Sequence, residues 1–140
     1  MKRIISVLFF LLAASPVLAC GDESTVTVVV DDPNYEKILE KSGAAYDPFN
    51  NVIAISTEYM TARPPNVQKF IYAHECGHYY LKNTESHAFF GNPQAEYDAD
   101  DFAMKTAKEN GVTFTEEELS YICNDVGKKR CERIREMNEK

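Results

Sequence analysis

Two histidines and a glutamate are spaced for metal-assisted hydrolysis in the run His74-Glu75-Cys76-Gly77-His78. In an α-helix each residue advances by about 100°, so His74 and His78 lie about 40° apart on one face and can bind the same ion. Glu75 lies beside that face, where a carboxylate can take a proton from a water molecule. Cys76 lies about 200° from His74, so we expect that this thiol is not a ligand.

A catalytic zinc site also needs a third protein ligand and an open position for water. The next predicted helix carries Glu96 and Asp100 four residues apart, which places both on one helical face. We predict Glu96 as the third zinc ligand and Asp100 as the acceptor of the second N–H of a ligating histidine. Asp100 and His87 are the alternatives for the third ligand. The small side chains of Ala99 and Ala103 would let the two helices pack closely.

The histidine helix is predicted over about Asn66–Lys82, because apolar residues recur there at three- and four-residue steps. Both histidines are in line with this apolar stripe and should face the interior, where an unpaired imidazole is costly. The second helix is predicted over Pro93–Glu109, with Asn92-Pro93 as its start and Asn110-Gly111 as its end. A metal ion would give the buried imidazoles an internal partner.

Short elements are predicted on either side of these two helices. β-Branched residues predict a strand over Ser24–Val30. Residues 44–46 and 52–56 flank a turn and suit a hairpin, whose edge either pairs with an extended peptide or completes a small sheet. Residues 57–63 are predicted as a connector. Capping and stop signals predict further helices over Asn34–Lys41, from Thr115 to about Cys123, and from Lys128 to about Asn138.

The order of these elements predicts an α+β fold of one compact domain. In it a short β-sheet with an edge strand packs on the metal-binding helix. A helical C-terminal half follows the sheet.

The two motifs together, HECGH at residues 74–78 and EYDAD at residues 96–100, resemble the gluzincin metallopeptidases. The closer likenesses are the compact ImmA/IrrE-like group and the HExGH…ExxAD peptidases related to the CAAX prenyl proteases. The resemblance covers roughly Val52 to Met104 and implies a small zincin-like domain. It implies no substrate, because the ImmA/IrrE-like proteins are cytoplasmic and the prenyl-protease relatives have membrane helices.

The resemblance also implies roles for individual residues. One zinc ion would be bound by His74, His78 and Glu96, with Glu75 as the general base. The expected activity is hydrolysis of a peptide or protein substrate by a monomer. The alternative is a zinc-containing binding or inhibitory module without catalytic turnover. The donor to a developing oxyanion is left open among His87, Tyr79, Tyr80 and Tyr97.

Residues 1–19 have the features of a signal peptide: a basic start, an apolar run from Ile4 to Ala14 and small residues before the cleavage point. We therefore expect an exported protein, in the periplasm or outside the cell, whose domain comprises residues 20–140. Cys20 follows directly, and the sequence Val17-Leu18-Ala19-Cys20 resembles a lipobox. A lipid anchor at Cys20 and ordinary cleavage at the same bond are both open. No later segment approaches the length of a membrane span.

The four cysteines leave two disulfide arrangements open. If Cys20 carries a lipid, the expected bridge is Cys123–Cys131, and Cys76 remains as a small buried residue. If Cys20 carries no lipid, a Cys20–Cys76 bridge becomes available, since export permits disulfides.

The charge balance of the chain argues against some classes of partner. The net charge is −7, and loss of residues 1–19 makes it more negative because that segment contains Lys2 and Arg3 and no acidic residue. An acidic surface does not favour nucleic acid or anionic lipid as the main ligand.

Overall fold

Three short strands form one mixed sheet near the N-terminal end of the computed structural model, which describes residues 20–21, 24–88 and 91–140. The strands are β1 (Thr27–Val30), β2 (Ala44–Asp47) and β3 (Val52–Ile55). β3 is central, parallel to β1 and antiparallel to β2, so β2 is an edge of the sheet. The hairpin is confirmed. The first strand begins later than predicted, because β3 offers partners for residues 27–30 alone.

Six α-helices of the described chain accompany the sheet. They are α1 (Glu36–Ser42), α2 (Thr57–Thr61), α3 (Pro65–Leu81), α4 (Pro93–Glu109), α5 (Glu116–Asp125) and α6 (Lys128–Glu139), with 3-10 turns at Pro33–Tyr35 and Glu85–His87. Side-chain caps explain two of the boundaries. The Asn92 side chain accepts a hydrogen bond from the N–H of Gln94 at the start of α4, and Thr115 and Glu118 form the capping box of α5. The predicted α+β class is confirmed, with the sheet first and most of the helices after it.

The predicted connector at residues 57–63 contains the short helix α2, so that prediction is wrong. The hydroxyl of Ser56 caps this helix by accepting a hydrogen bond from the backbone N–H of Tyr59 at 3.2 Å. Met60 anchors it, because its side chain is buried in the apolar cluster beside the sheet. A helix this short offers no apolar periodicity, which is the signal on which the prediction depended.

Helix α3 lies between two apolar clusters. On one side Tyr72 and Cys76 pack with Ile53 and Ile55 of the sheet. On the other side α3 contributes to a second cluster with the C-terminal helices, comprising Val67, Phe70, Ala73, Ala103, Met104, Phe114, Leu119, Ile122 and Ile134. Both the sheet and the helical half therefore hold α3 in place.

Two disulfides cross-link the fold. Cys123 is bridged to Cys131, as expected, and Cys20 is bridged to Cys76 on the back of α3. A sulfur atom in a disulfide cannot also carry a thioether-linked lipid, so this bridge and lipidation of Cys20 exclude one another. Two disulfides are consistent with an oxidising compartment. Among the described residues no helix has both the length and the apolar character needed to cross a bilayer. The predicted signal peptide at residues 1–19 lies outside the described chain.

We expect that iodoacetamide labels no cysteine of the unfolded, unreduced protein, because the two bridges occupy all four thiols. After reduction, intact mass should show four labels. If Cys20 carries a lipid instead, Cys76 is a free thiol, and one label appears on it before reduction. That label would contradict the Cys20–Cys76 bridge.

Helices α3 and α4 approach each other closely at Gly77. A Cβ atom at this position would lie 3.1 Å from the Cα of Ala99 and 3.2 Å from its carbonyl oxygen, closer than side chains normally pack against backbone. Ala99 and Ala103 are both fully buried. The small residues therefore set the distance between the helix that carries the histidines and the helix that carries Glu96.

We expect Gly77→Val to lower the free energy of unfolding by about 1–3 kcal/mol, because the added methyl groups must push α3 and α4 apart. The affinity of the predicted metal site for zinc should fall in the same variant. Gly127→Val is the control: no atom lies within 4 Å of a Cβ there, and the cost should stay below about 1 kcal/mol, from a weaker N-cap of α6. Chemical denaturation measures both variants. If both variants lose the same free energy of unfolding, the close contact at Gly77 does not explain the loss.

Candidate metal centre

Helix α3 presents His74, Glu75 and His78 to a single cleft. The helix begins at Pro65, whose fixed φ suits the first helical position, and it continues unbroken through both histidines. His74 and Glu75 are each 7% exposed, and His78 is partly buried. The side chains named by the sequence motif are therefore held by a long helix whose two flanks are packed.

Three side chains with potential ligand atoms converge above this helix. The Nε2 atoms of His74 and His78 lie 3.0 Å apart. The Glu96 carboxylate, from α4, places one oxygen 3.2 Å from His74 Nε2 and the other 3.3 Å from His78 Nε2. These three residues are the group of the described chain whose donor atoms could hold a metal ion.

The convergence fits a small tetrahedral ion. Donors bound to zinc at about 2.0–2.1 Å with tetrahedral angles lie about 3.3 Å from one another. The separation of 3.0 Å between the two nitrogens, and those of 3.2 and 3.3 Å from them to the two different oxygens of Glu96, are close to this value. Two imidazoles and one carboxylate are also a donor set that zinc accepts, although other divalent ions accept it as well.

Hydrogen bonds on the outer ring nitrogens orient both histidines. Nδ1 of His74 lies 2.9 Å from Oδ1 of Asp100, and Nδ1 of His78 lies 2.9 Å from Nε2 of His87. Each inner Nε2 is thereby directed at the point where the ligand atoms converge. Asp100 thus has the contact predicted for it. His87 lies behind His78 and not beside the convergence point, which disfavours it as the third ligand.

The site concentrates charge in a buried place. Burial by itself would lower the pKa of His74, but its hydrogen bonds with Asp100 and Glu96 outweigh burial and raise the pKa to about 9. Burial disfavours the charged form of Glu96 too, yet hydrogen bonds from His74 and His78 hold its pKa far below the ordinary range. In the metal-free protein the His74 imidazole is therefore protonated at neutral pH.

Arg130 of α6 is a member of the site that the sequence analysis did not identify. Its Nε and Nη2 atoms donate to the Asp100 carboxylate at 2.7 and 2.8 Å, and its Nη1 lies 3.2 Å from Glu96 Oε2. Arg130 stands in a charged segment, residues 128–136, where local sequence does not distinguish a buried arginine from a solvated one. Its role depends on how α6 packs against α4.

A cleft of about 640 Å³ opens over the side chains of His74, His78 and Glu96. Its walls come from α1, β2, α2 and α3, from the loop between α3 and α4 with the start of α4, and from the end of α5 and the start of α6. The apolar part of the lining includes Ile38, Tyr46, Tyr59, Phe70, Ile122 and Val126. The side chain of Glu96 is 41% exposed, so the convergence point can be reached from solvent. Of the four residues proposed as oxyanion donors, His87 alone lines the cleft.

The three tyrosines of that set make their contacts elsewhere. The hydroxyl of Tyr79 accepts a hydrogen bond from the backbone N–H of Thr25 at 3.1 Å. Tyr80 packs on Phe102, with 5.4 Å between ring centroids. The ring of Tyr97 lies beneath the Arg133 guanidinium at 4.7 Å. These contacts favour a packing role for each tyrosine.

The chain matches no protein-family model, no curated protein and no solved structure. The arrangement of its own side chains is therefore the basis for assigning chemistry to this site.

We expect zinc binding to release about one proton per ion near pH 7.5, because the raised pKa of His74 keeps the metal-free site protonated there. The apparent affinity should rise up to tenfold per pH unit until about pH 9. Titration calorimetry in buffers of different ionisation enthalpy counts the proton. The Asp100→Asn variant should release fewer protons per ion than wild type, because it lacks the negative charge that favours protonated His74. An affinity independent of pH over this range would contradict the assignment.

Proposed function

We propose that this protein is a zinc-dependent peptidase that hydrolyses peptide bonds in the cell envelope or outside the cell. The observation that carries the proposal is the convergence of His74, His78 and Glu96 at 3.0–3.3 Å in the wall of an open cleft, with Glu75 in the same cleft. The resemblance of both motifs to the gluzincin metallopeptidases supports it. It implies a zincin-like arrangement of the sheet and of the two helices that carry these residues.

Zinc bound to these ligands would polarise a scissile carbonyl and make a water molecule more acidic. His74, His78 and Glu96 would hold the ion, and Asp100 would keep the His74 ring in the tautomer that leaves Nε2 free to bind. Glu75 would accept a proton from the attacking water and deliver it to the leaving amine. Its position supports this role, since it follows His74 directly and is buried at the cleft wall.

The open side of the site favours catalysis over a structural metal. Structural zinc sites are closed by four protein ligands, whereas catalytic sites keep one position for water or substrate. Within the described chain the convergent group has three members, and the exposure of Glu96 leaves a route from solvent. A zinc-containing binding or inhibitory module with the same ligands is the second candidate, and hydrolysis assays separate it from the first.

The edge strand β2 supports an extended peptide as the substrate. Its residues Ala44, Ala45 and Tyr46 line the cleft. Gly43 accepts a hydrogen bond from the N–H of Ser56, so the alternation of an antiparallel pair directs Ala45 toward β3. The same alternation directs the backbone groups of Ala44 and Tyr46 away from β3, where the Ala44 carbonyl already accepts a hydrogen bond from the Ser42 hydroxyl at 3.0 Å. A peptide that pairs with this edge would lie beside Glu75 and the ligands.

We expect Glu75→Gln to keep its zinc and to lose peptide hydrolysis by about 100-fold or more, because a glutamine cannot accept the water proton. Zinc content by metal analysis and cleavage of a mixed peptide library measure the two effects. The matched control is Glu109→Gln, at the exposed C-terminal end of α4, which should keep both zinc and activity.

The outcomes separate the two candidate functions. A Glu75→Gln protein with zinc and full activity would make the mechanism wrong. A wild-type protein that binds zinc tightly and cleaves no member of the library would favour the binding module. A wild-type protein without affinity for zinc would overturn both.

A further inference from the structure

Arg130 bridges two carboxylates that stand one helical turn apart on α4. Three of its nitrogen atoms face these groups: Nε and Nη2 face Asp100, and Nη1 faces Glu96. The planar guanidinium suits this task, since its donors form a rigid fork that can serve two acceptors at once. We infer that Arg130 is a positioning residue of the metal centre, which holds Glu96 and Asp100 where the ion needs them. This inference rests on the proposed metal site.

Glu96 has few other means of being held. Its side chain is 41% exposed, and it pairs with the two histidines and with Arg130. A half-exposed glutamate without such contacts samples several rotamers, and ordering it costs free energy when the metal binds. The contact with Arg130 restricts the rotamers of Glu96 before the metal binds. The ligand is thereby directed to the convergence point before the ion arrives.

Asp100 needs Arg130 for a different reason. Its carboxylate is 1% exposed, and a buried charge is tolerated when it is paired and hydrogen-bonded. Arg130 supplies a permanent positive charge and two hydrogen bonds to it, while His74 supplies the third contact. Asp100 can thus remain in place to orient His74 through Nδ1.

Contacts of the residues that follow Arg130 hold this part of α6 in place. The next residue, Cys131, is bridged to Cys123 of α5. One turn further along α6, Ile134 is fully buried and Arg133 pairs with Asp101 at 3.2 Å. The C-terminal helix therefore belongs to the metal centre, although it supplies none of the three ligands.

Arg133 provides a matched control. It is the same residue type, lies on the same helix and pairs with an aspartate of the same partner helix, next to Asp100. Its pair is exposed, with 40% of the Arg133 side chain and 47% of the Asp101 side chain accessible, and such pairs contribute little. Substitution of Arg133 thus reproduces the loss of an arginine between these helices without touching the site.

The direction in which zinc affinity changes on loss of Arg130 distinguishes a positioning role from a purely electrostatic one. A cation near a metal site repels the ion, so the loss of Arg130 through charge alone would tighten zinc binding. Loss of a positioning residue weakens it, and substitutions behind metal ligands typically cost about 10–100-fold in affinity. We therefore expect Arg130→Gln to bind Zn²⁺ at least about tenfold more weakly than wild type. Arg133→Gln should stay within about twofold, as expected for an exposed pair.

Competition with a chromophoric chelator measures the Zn²⁺ affinity, and the visible absorption of the Co²⁺ form reports ligand geometry. We expect the Co²⁺ spectrum to change in Arg130→Gln and to stay the same in Arg133→Gln. The Arg130→Lys variant keeps the positive charge but lacks the planar guanidinium donors, so its affinity for Zn²⁺ should also fall below that of wild type. If Arg130→Gln does not fold, as judged by circular dichroism of the metal-free protein, the Arg130→Lys result decides.

An Arg130 variant that folds, binds Zn²⁺ as tightly as wild type or more tightly, and keeps the Co²⁺ spectrum would overturn this inference and leave the peptidase proposal standing. A wild-type protein that binds neither metal would overturn the proposed function, and this inference with it.

Discussion

The burial of one carboxylate determines how three helices of this protein meet. Asp100 is almost completely removed from solvent on α4, and it contacts His74 of α3 and Arg130 of α6. A buried carboxylate without partners would be very costly, so the arrangement of these helices is constrained to one that satisfies it. The same arrangement brings Glu96, one turn away on α4, to the Nε2 atoms of both histidines. The geometry of the candidate metal centre thus follows from the way in which this charge is buried.

Helix α3 can serve as the base of the site because it is held along both flanks. The sheet packs on the flank that carries Tyr72 and Cys76, and the Cys20–Cys76 bridge lies on the side of the helix opposite His74. On the other side α4 approaches closely at Gly77, where no larger side chain fits without displacement of the backbone. Side chains on such a frame lose little freedom when they bind an ion, which is the advantage of a preorganised site. The cleft above them is bordered by β2 and by the α5–α6 turn.

The elements that depend on local signals were predictable. The periodicity of α3 and α4, the capping box of α5 and the turn of the hairpin agree with the structure within a few residues. Helix α2 was missed because a single turn has no period to detect. Arg130 was missed because its partners lie 30 and 34 residues away on another helix, which the charged pattern of α6 does not reveal. The identity of the metal and the peptidase activity stay predictions.

The sequence by itself determined which side chains could bind a metal and which helices carry them. Ligand spacing within a helix is a local property, because residues four apart share a face in any helix. The tertiary structure alone decided the partner of Cys20, the edge position of β2, the contact of Arg130 with both carboxylates and the open side of Glu96. Each of these depends on the packing of segments that are distant in the chain. No periodicity or spacing within one segment contains that information.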